Sequence, residues 1–151
     1  MIEDLVFQSG YLGLFLVSFS AATLIPLGSE VFVALMAVSG YDPLLVFSVA
    51  TAGNTLGSIT NYYVGKLGTN FVLSRYIKVN SGKRQKAEKM YRKLGAPILS
   101  LAWVPIIGDP LTVVAGVFNL ELRIFIFWVA LGKSLRYFVV IKTAETFLKN
   151  I

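Results

Sequence analysis

Twice, at an offset of 79 residues, the chain sets a proline four residues ahead of a carboxylate inside an apolar run, and 23 residues further on writes Gly, a polar residue, Ser or Thr, and Leu. Pro26 falls on Pro105, Glu30 on Asp109, Val38 on Val117, Gly53 on Gly132, Thr55 on Ser134 and Leu56 on Leu135. Similarity at a fixed internal spacing implies one supersecondary unit used twice. When the repeated unit is a hydrophobic segment broken by Pro or Gly, the matching breaks are the best sequence pointer to a binding site between two halves of a membrane transporter.

Such an arrangement needs a bilayer around it. Apolar residues make up 56% of the chain and charged ones 15%, well below the quarter or so typical of soluble domains. The expected class is therefore an all-α integral membrane protein, and 151 residues leave room for only a handful of crossings and no separate soluble domain. Cys and His are both absent, so disulfides, structural zinc and thiolate or imidazole catalysis are excluded; no metal and no cofactor is expected. The acidic start, Met-Ile-Glu-Asp, lacks the positive charge of a secretory signal, and the first hydrophobic run is expected to be retained.

Residues Leu5 to Ser29 carry no charge and would span roughly 38 Å as a helix. Pro26, Gly28 and Ser29 interrupt the run, however, and Val31 to Val38 beyond Glu30 is too short to cross. The pattern predicts a re-entrant hairpin with its tip at Ile25 to Glu30. Irregular backbone at membrane depth survives only against protein or a wet cavity, so the tip should face the interior. Ser39 to Pro43 reads as a turn, and Leu44 to Gly65 as the clearest true span. Along it Gly53, Gly57, Asn61 and Gly65 recur every four residues, a helix-packing seam. Asn54, beside the seam and matched by Lys133 in the second copy, is the candidate functional residue there. Pro97 to Gly108 is a second charge-free run with a broken tip at Pro105, Gly108, Asp109 and Pro110. A helix is expected to start near Pro110 with Asp109 as its N-cap. Glu121 and Arg123 mark an interface, and Ile124 to about Thr143 is the last span, with Lys133 and Arg136 inside it.

Between Lys66 and Lys93 lie nine of the fourteen basic residues and a single acid, Glu88, which makes this loop cytoplasmic by the positive-inside rule. Within it, residues 82–94 have the pattern of a basic amphipathic helix able to lie on anionic headgroups. Topology alone accounts for the charge, so no nucleic-acid partner is expected. A hairpin returns to its starting side and a span does not. The two copies, about 5–66 and 95–148 around the linker 66–94, are therefore expected to form an inverted repeat within one membrane domain, each unit a re-entrant helical hairpin followed by a transmembrane helix, with the carboxylate-bearing tips approaching the mid-membrane from opposite faces. Lys142 and Lys149 run against this polarity, two cations against nine.

Glu30, Asp109, Lys133 and Arg136, with Asn54 nearby, form the expected substrate or proton pathway. Each charge at the bilayer centre costs about 2.5 to 3.5 kcal/mol on insertion scales, so the four must pair or be hydrated. Lys133 and Arg136 stand three apart on one helix face and could meet both carboxylates. Arg136 is shaped to hold a phosphate through two bonds, and Lys133 adds a point charge.

The stretches Leu-Ile-Pro-Leu-Gly-Ser-Glu30, Gly53-Asn-Thr-Leu-Gly57 with Gly65-Lys66, Trp103-Val-Pro-Ile-Ile-Gly-Asp109 with Ala115-Gly116, and Leu131-Gly-Lys-Ser-Leu-Arg-Tyr137 together resemble the YqaA-like branch of the DedA family, part of the SNARE-associated Golgi protein or VTT-domain superfamily. The resemblance covers nearly the whole chain. It implies a multi-pass protein of the bacterial inner membrane with two opposed re-entrant hairpins. It further implies movement of lipids across the bilayer, such as polyprenyl phosphate or phospholipid, and a part in envelope integrity linked to proton-motive force. Only Glu30 matches a functional carboxylate of the family's main branch, which has another acid upstream and two arginines around the second hairpin where this chain has Ser18, Ala102 and Gly108.

Three functions fit these residues. The first is a carrier, flippase or scramblase for an anionic, phosphate-bearing lipid, with proton uptake at Glu30 or Asp109 as the coupling step, since a desolvated carboxylate tends toward a raised pKa. The alternative is a non-transporting assembly or stability factor whose buried charges are structural. An intramembrane enzyme is the third; Gly108-Asp109 matches only half of the aspartyl-protease Gly-x-Gly-Asp signature, Ile106 standing where its first Gly belongs, so no catalytic residue is assigned. A homodimer completing the pathway is open to so short a chain, with the Gly53/Gly57 face as its seam.

Overall fold

A computed structural model describes residues 10–23, 28–68, 96–104 and 108–149, which are helical or turn with no strand among them. In chain order these are α1, Tyr11–Ala21; α2, Ser29–Val38; α3, Pro43–Leu67; a 3-10 helix, Ala96–Trp103; α4, Gly108–Val117; and α5, Leu122–Lys149. The all-helical class expected from the sequence is the observed one. The basic linker beyond Gly68 with its amphipathic stretch, and the tip residues Pro26 and Pro105, lie outside the described residues.

The 79-residue offset extends into the backbone. It carries Ser29–Val38 onto Gly108–Val117 and Pro43 onto Leu122. Both short helices end the same way: Gly40 (φ 86°) and its counterpart Asn119 (φ 51°) are left-handed. The next N–H reaches back five residues, Tyr41 to the Met36 carbonyl at 3.4 Å and Leu120 to the Ala115 carbonyl at 3.1 Å. This Schellman ending needs a residue that tolerates positive φ, which is why Gly occupies one copy and Asn the other.

Asp42 caps α3, its carboxylate accepting from the N–H groups of Leu44 (2.8 Å) and Leu45 (3.0 Å), with Pro43 at the first helical position where no N–H is needed. The 25 residues of α3 reach about 37 Å. Only Leu122–Phe147 of α5, however, combines the length and apolar character of a membrane crossing among the described residues. The sequence ranked these two the other way. The reason is sidedness: α3 carries Asn54, Thr55, Ser58 and Asn61 on its buried face, which lowers its mean apolarity, while Leu44, Leu45, Leu56, Val64 and Leu67 face outward.

By packing, the chain divides into two units, one running to Gly57 and resuming at Lys133, the other Ser58–Gly132. In the first, α1 packs on α2, and Leu14, Val17, Val33, Met36, Val46, Ala50, Tyr137 and Ile141 form the core. In the second, the 3-10 helix packs on α4 around Tyr62, Leu99, Ala102, Ala115, Phe125 and Val129. There the Tyr62 hydroxyl donates to the Leu120 carbonyl at 2.6 Å, tying α3 to the end of α4. Along α5 the buried side is Phe125, Val129, Gly132, Lys133, Tyr137 and Ile141, whereas Phe127 is 61% and Leu135 54% exposed. Large apolar groups facing outward around an apolar core depart from the polar surface usual in a water-soluble fold.

Candidate functional site

The best-defined polar site lies in the first unit, where the start of α2 meets α5. Gly28 precedes α2 without a side-chain cap, leaving the positive helix end to Glu30 in the first turn. Glu30 forms an ion pair with Arg136, their side chains 26% and 20% exposed. One residue back on α2 and one forward on α5, the Ser29 and Tyr137 hydroxyls share a buried hydrogen bond at 2.8 Å. The Asn54 amide nitrogen of α3 donates to the same Tyr137 oxygen at 2.6 Å. Two consecutive rungs therefore join α2 to α5, a charged one at the surface of the unit and a neutral one behind it.

Lys133, one turn earlier on α5, is 1% exposed. Ser18, Thr51 and Thr55 place hydroxyl oxygens in the same unit, buried and without a hydrogen-bond partner among the described residues. Gly53 and Gly57 let α1 come against α3: a Cβ on Gly53 would lie 2.6 Å from the Phe15 carbonyl oxygen, and one on Gly57 2.7 Å from the Ala22 methyl. The face assigned to a packing seam is thus occupied within the chain at Gly53 and Gly57.

The second unit repeats this contact in a plainer form. A Cβ on Gly132, the counterpart of Gly53, would stand 2.6 Å from the Ser100 carbonyl oxygen of the 3-10 helix. Gly65 and Gly116 sit against the backbone at Val113 and Tyr62, and Gly108 against Ala102. Asn61 donates to the Thr112 hydroxyl at 3.3 Å, which in turn donates to the Asp109 carbonyl at 2.6 Å. Asp109 is half-buried inside the first turn of α4, which starts at Gly108. The expected N-cap position is therefore corrected by one residue: helix begins before Asp109, and Pro110 is accepted because the first-turn N–H groups have no helical partners anyway. Glu30, likewise placed at a hairpin tip by the sequence, stands inside α2.

Of the sequence candidates, Glu30, Arg136 and Asn54 come together with Ser29 and Tyr137 in one unit; Lys133 lies buried in that unit, and Asp109 belongs to the other. Ser29 and Tyr137 escaped the sequence reading. Each is the direct neighbour of a charged candidate, a signal that could have found them. Chemically, one edge of the Arg136 guanidinium engages Glu30, and its remaining N–H groups suit an anionic oxygen. Among the described residues no group of three or more carboxylates gathers to hold a metal.

The VTT domain model matches residues 25–144 of the chain. Inner membrane protein YqaA of Escherichia coli K12 is 38% identical over 128 residues, covering 84% of this chain and 85% of that one. An uncharacterized protein of Haemophilus influenzae is 32% identical over 143 residues, 89% of this chain and 87% of its own. Uncharacterized membrane protein YbfM of Bacillus subtilis is 26% identical over 152 residues, covering 93% and 92%. No solved structure matches.

Proposed function

The chain belongs to the VTT-domain family, in its DedA group, and from that membership we propose a multi-pass protein of the bacterial inner membrane that moves an anionic, phosphate-bearing lipid across the bilayer. The observation that carries the proposal is the Glu30–Arg136 pair. A structural brace in an apolar medium is best fully buried, and this pair is not: it keeps a fifth to a quarter of its side-chain surface open within a unit whose exterior is apolar. Intramembrane ionisable residues generally mark a pathway. Arg136 receives the headgroup, Glu30 takes up a proton as the anion leaves, and Lys133 and Asn54, in the same unit, line the route.

The proposed topology is an inverted repeat, with the linker 66–94 cytoplasmic and the hairpins re-entrant; it makes repeat 1 about 5–66 and repeat 2 about 95–148 of one membrane domain. Lys142, which this topology sets outside, is ion-paired with Glu145 at 2.8 Å and so adds little net charge there. Residues 82–94 would rest on anionic headgroups.

The test is translocation of labelled polyprenyl phosphate and of labelled phospholipid in proteoliposomes, with and without a pH gradient, for the wild type and Glu30→Gln. Transport of either lipid that is lost in Glu30→Gln is the expected result, and dependence on the gradient separates coupled transport from scrambling. If a folded, inserted wild type moves neither, the assembly-factor reading takes its place. One observation favours that second reading: the two charges already satisfy each other. Glu30→Asp distinguishes them, since a brace tolerates the shorter carboxylate and a tuned site loses transport.

A further inference from the structure

We infer that Tyr137 is a positioning residue for the Arg136–Glu30 pair, working through the buried chain Asn54–Tyr137–Ser29; this rests on the proposed role of that pair in holding an anionic headgroup. An amide nitrogen only donates, so the phenol oxygen accepts from Asn54 at 2.6 Å, and it shares a second hydrogen bond with the Ser29 hydroxyl, 2.8 Å away. The three side chains are almost wholly enclosed, at 2%, 0% and 1% exposure for Asn54, Tyr137 and Ser29. In so dry a setting each bond is hard to exchange for water. The phenol is thus gripped by α3 from one side and by α2 from the other, and its grip sets the rotation of α5 at the turn that carries Arg136. Arg136 is its neighbour on α5 and Glu30 is the neighbour of Ser29 on α2, so the neutral rung fixes the spacing and direction of the charged rung in front of it. The ligand meets the charged rung alone; the chain behind it holds the guanidinium edge toward an incoming phosphate oxygen.

The test measures binding of two probes, dioctanoyl phosphatidate and inorganic phosphate, to the full-length protein in detergent by calorimetric titration, beside thermal unfolding. Tyr137→Phe keeps the ring and loses both hydrogen bonds; it should bind the anion about tenfold more weakly, as expected for about one net hydrogen bond. Ser29→Ala should weaken binding by a similar factor, the double variant no further because the two act as one chain, and Ser29→Thr, which keeps the hydroxyl, should bind as the wild type does. Tyr62→Phe is the control, since it removes a phenol hydrogen bond of another buried tyrosine, in the second unit: its melting temperature should fall and its affinity stay. Unchanged affinity in a folded Tyr137→Phe overturns the inference, as does equal weakening in Tyr62→Phe, which would mean general loosening. Should Tyr137→Phe fail to fold, Ser29→Ala against Ser29→Thr decides alone. Binding of phosphatidate only identifies a lipid headgroup, and binding of both identifies the phosphate group itself; either supports the inference. A wild type that binds neither probe removes the anionic-ligand reading and this inference with it.

Discussion

At the scale of single residues, Glu30 and Arg136 show how far charge in an apolar protein is governed by its partner. An exposed ion pair contributes about 0 to 1 kcal/mol, and breaking a buried one costs about 3 to 5. With 26% and 20% of their side chains exposed, these two fall between the limits. Glu30→Gln should therefore lower the unfolding free energy by about 2 kcal/mol, read as a lower melting temperature in detergent; an unchanged melting temperature would mean the pair does not brace α2 against α5. Arg136→Lys separates charge from shape. It should leave the melting temperature nearly unchanged, because a cation still faces Glu30, yet reduce anion binding about tenfold or more, because an ammonium is a point charge and cannot span two oxygens. Equal binding by the two would make Arg136 a counter-ion only. These residues were legible in the sequence because charge is conspicuous against an apolar background. Ser29 and Tyr137 were not, since a serine and a tyrosine in a membrane helix have many uses and only their meeting with Asn54 selects one.

At the scale of elements, the chain uses two devices, and they respond differently to substitution. Helix ends are built locally. At Gly40 the backbone is left-handed with no atom within 4 Å of a would-be Cβ, so Gly40→Asn should be tolerated, as its counterpart Asn119 shows, whereas Gly40→Ala should cost about 1 kcal/mol of stability. Loss of equal size in both would point away from the backbone and toward a packing defect. Helix contacts, by contrast, depend on a distant partner. Gly57→Ala would drive a methyl into the Phe19 carbonyl and the Ala22 side chain, and backbone cannot yield as a flexible side chain does. A loss of about 2 kcal/mol with α1 displaced is expected from such overpacking, checked by unfolding and by protease access to α1. The every-fourth-residue pattern announced the contact; its partner, α1, was not written in it. The same limit explains the ranking of the two long helices, because averaging over α3 mixes its polar inner face with its apolar outer one.

At the scale of the whole molecule, the repeat now rests on residues and on backbone endings alike, from Pro26 over Pro105 to Gly40 over Asn119. Whether its two copies are inverted in the membrane can be read from the sides on which their turns emerge. The protein has no cysteine, so single ones report cleanly. Ser39→Cys and Glu121→Cys, both at exposed turns between a short and a long helix, should react with a membrane-impermeant maleimide from opposite sides, Ser39→Cys in intact spheroplasts and Glu121→Cys only after permeabilisation. Labelling of both from one side would remove the inverted arrangement while leaving the helical class and the family intact.

The sequence by itself determined the helical class and the family, and it pointed to the doubled unit and the charged candidates, because each of these is carried by composition or by spacing along the chain. The tertiary structure decided what those features touch. Gly53 and Gly57 could have served a second copy or their own chain until α1 was seen to lie on them. Glu30 had two cations to choose from, three residues apart, and the rotation of α5 assigned it Arg136. Asn54 was one polar residue beside a seam until Tyr137, 83 positions away, received its hydrogen bond. A hydrogen bond acts over about 3 Å of space and leaves no mark at either end of the interval that separates its partners in the chain.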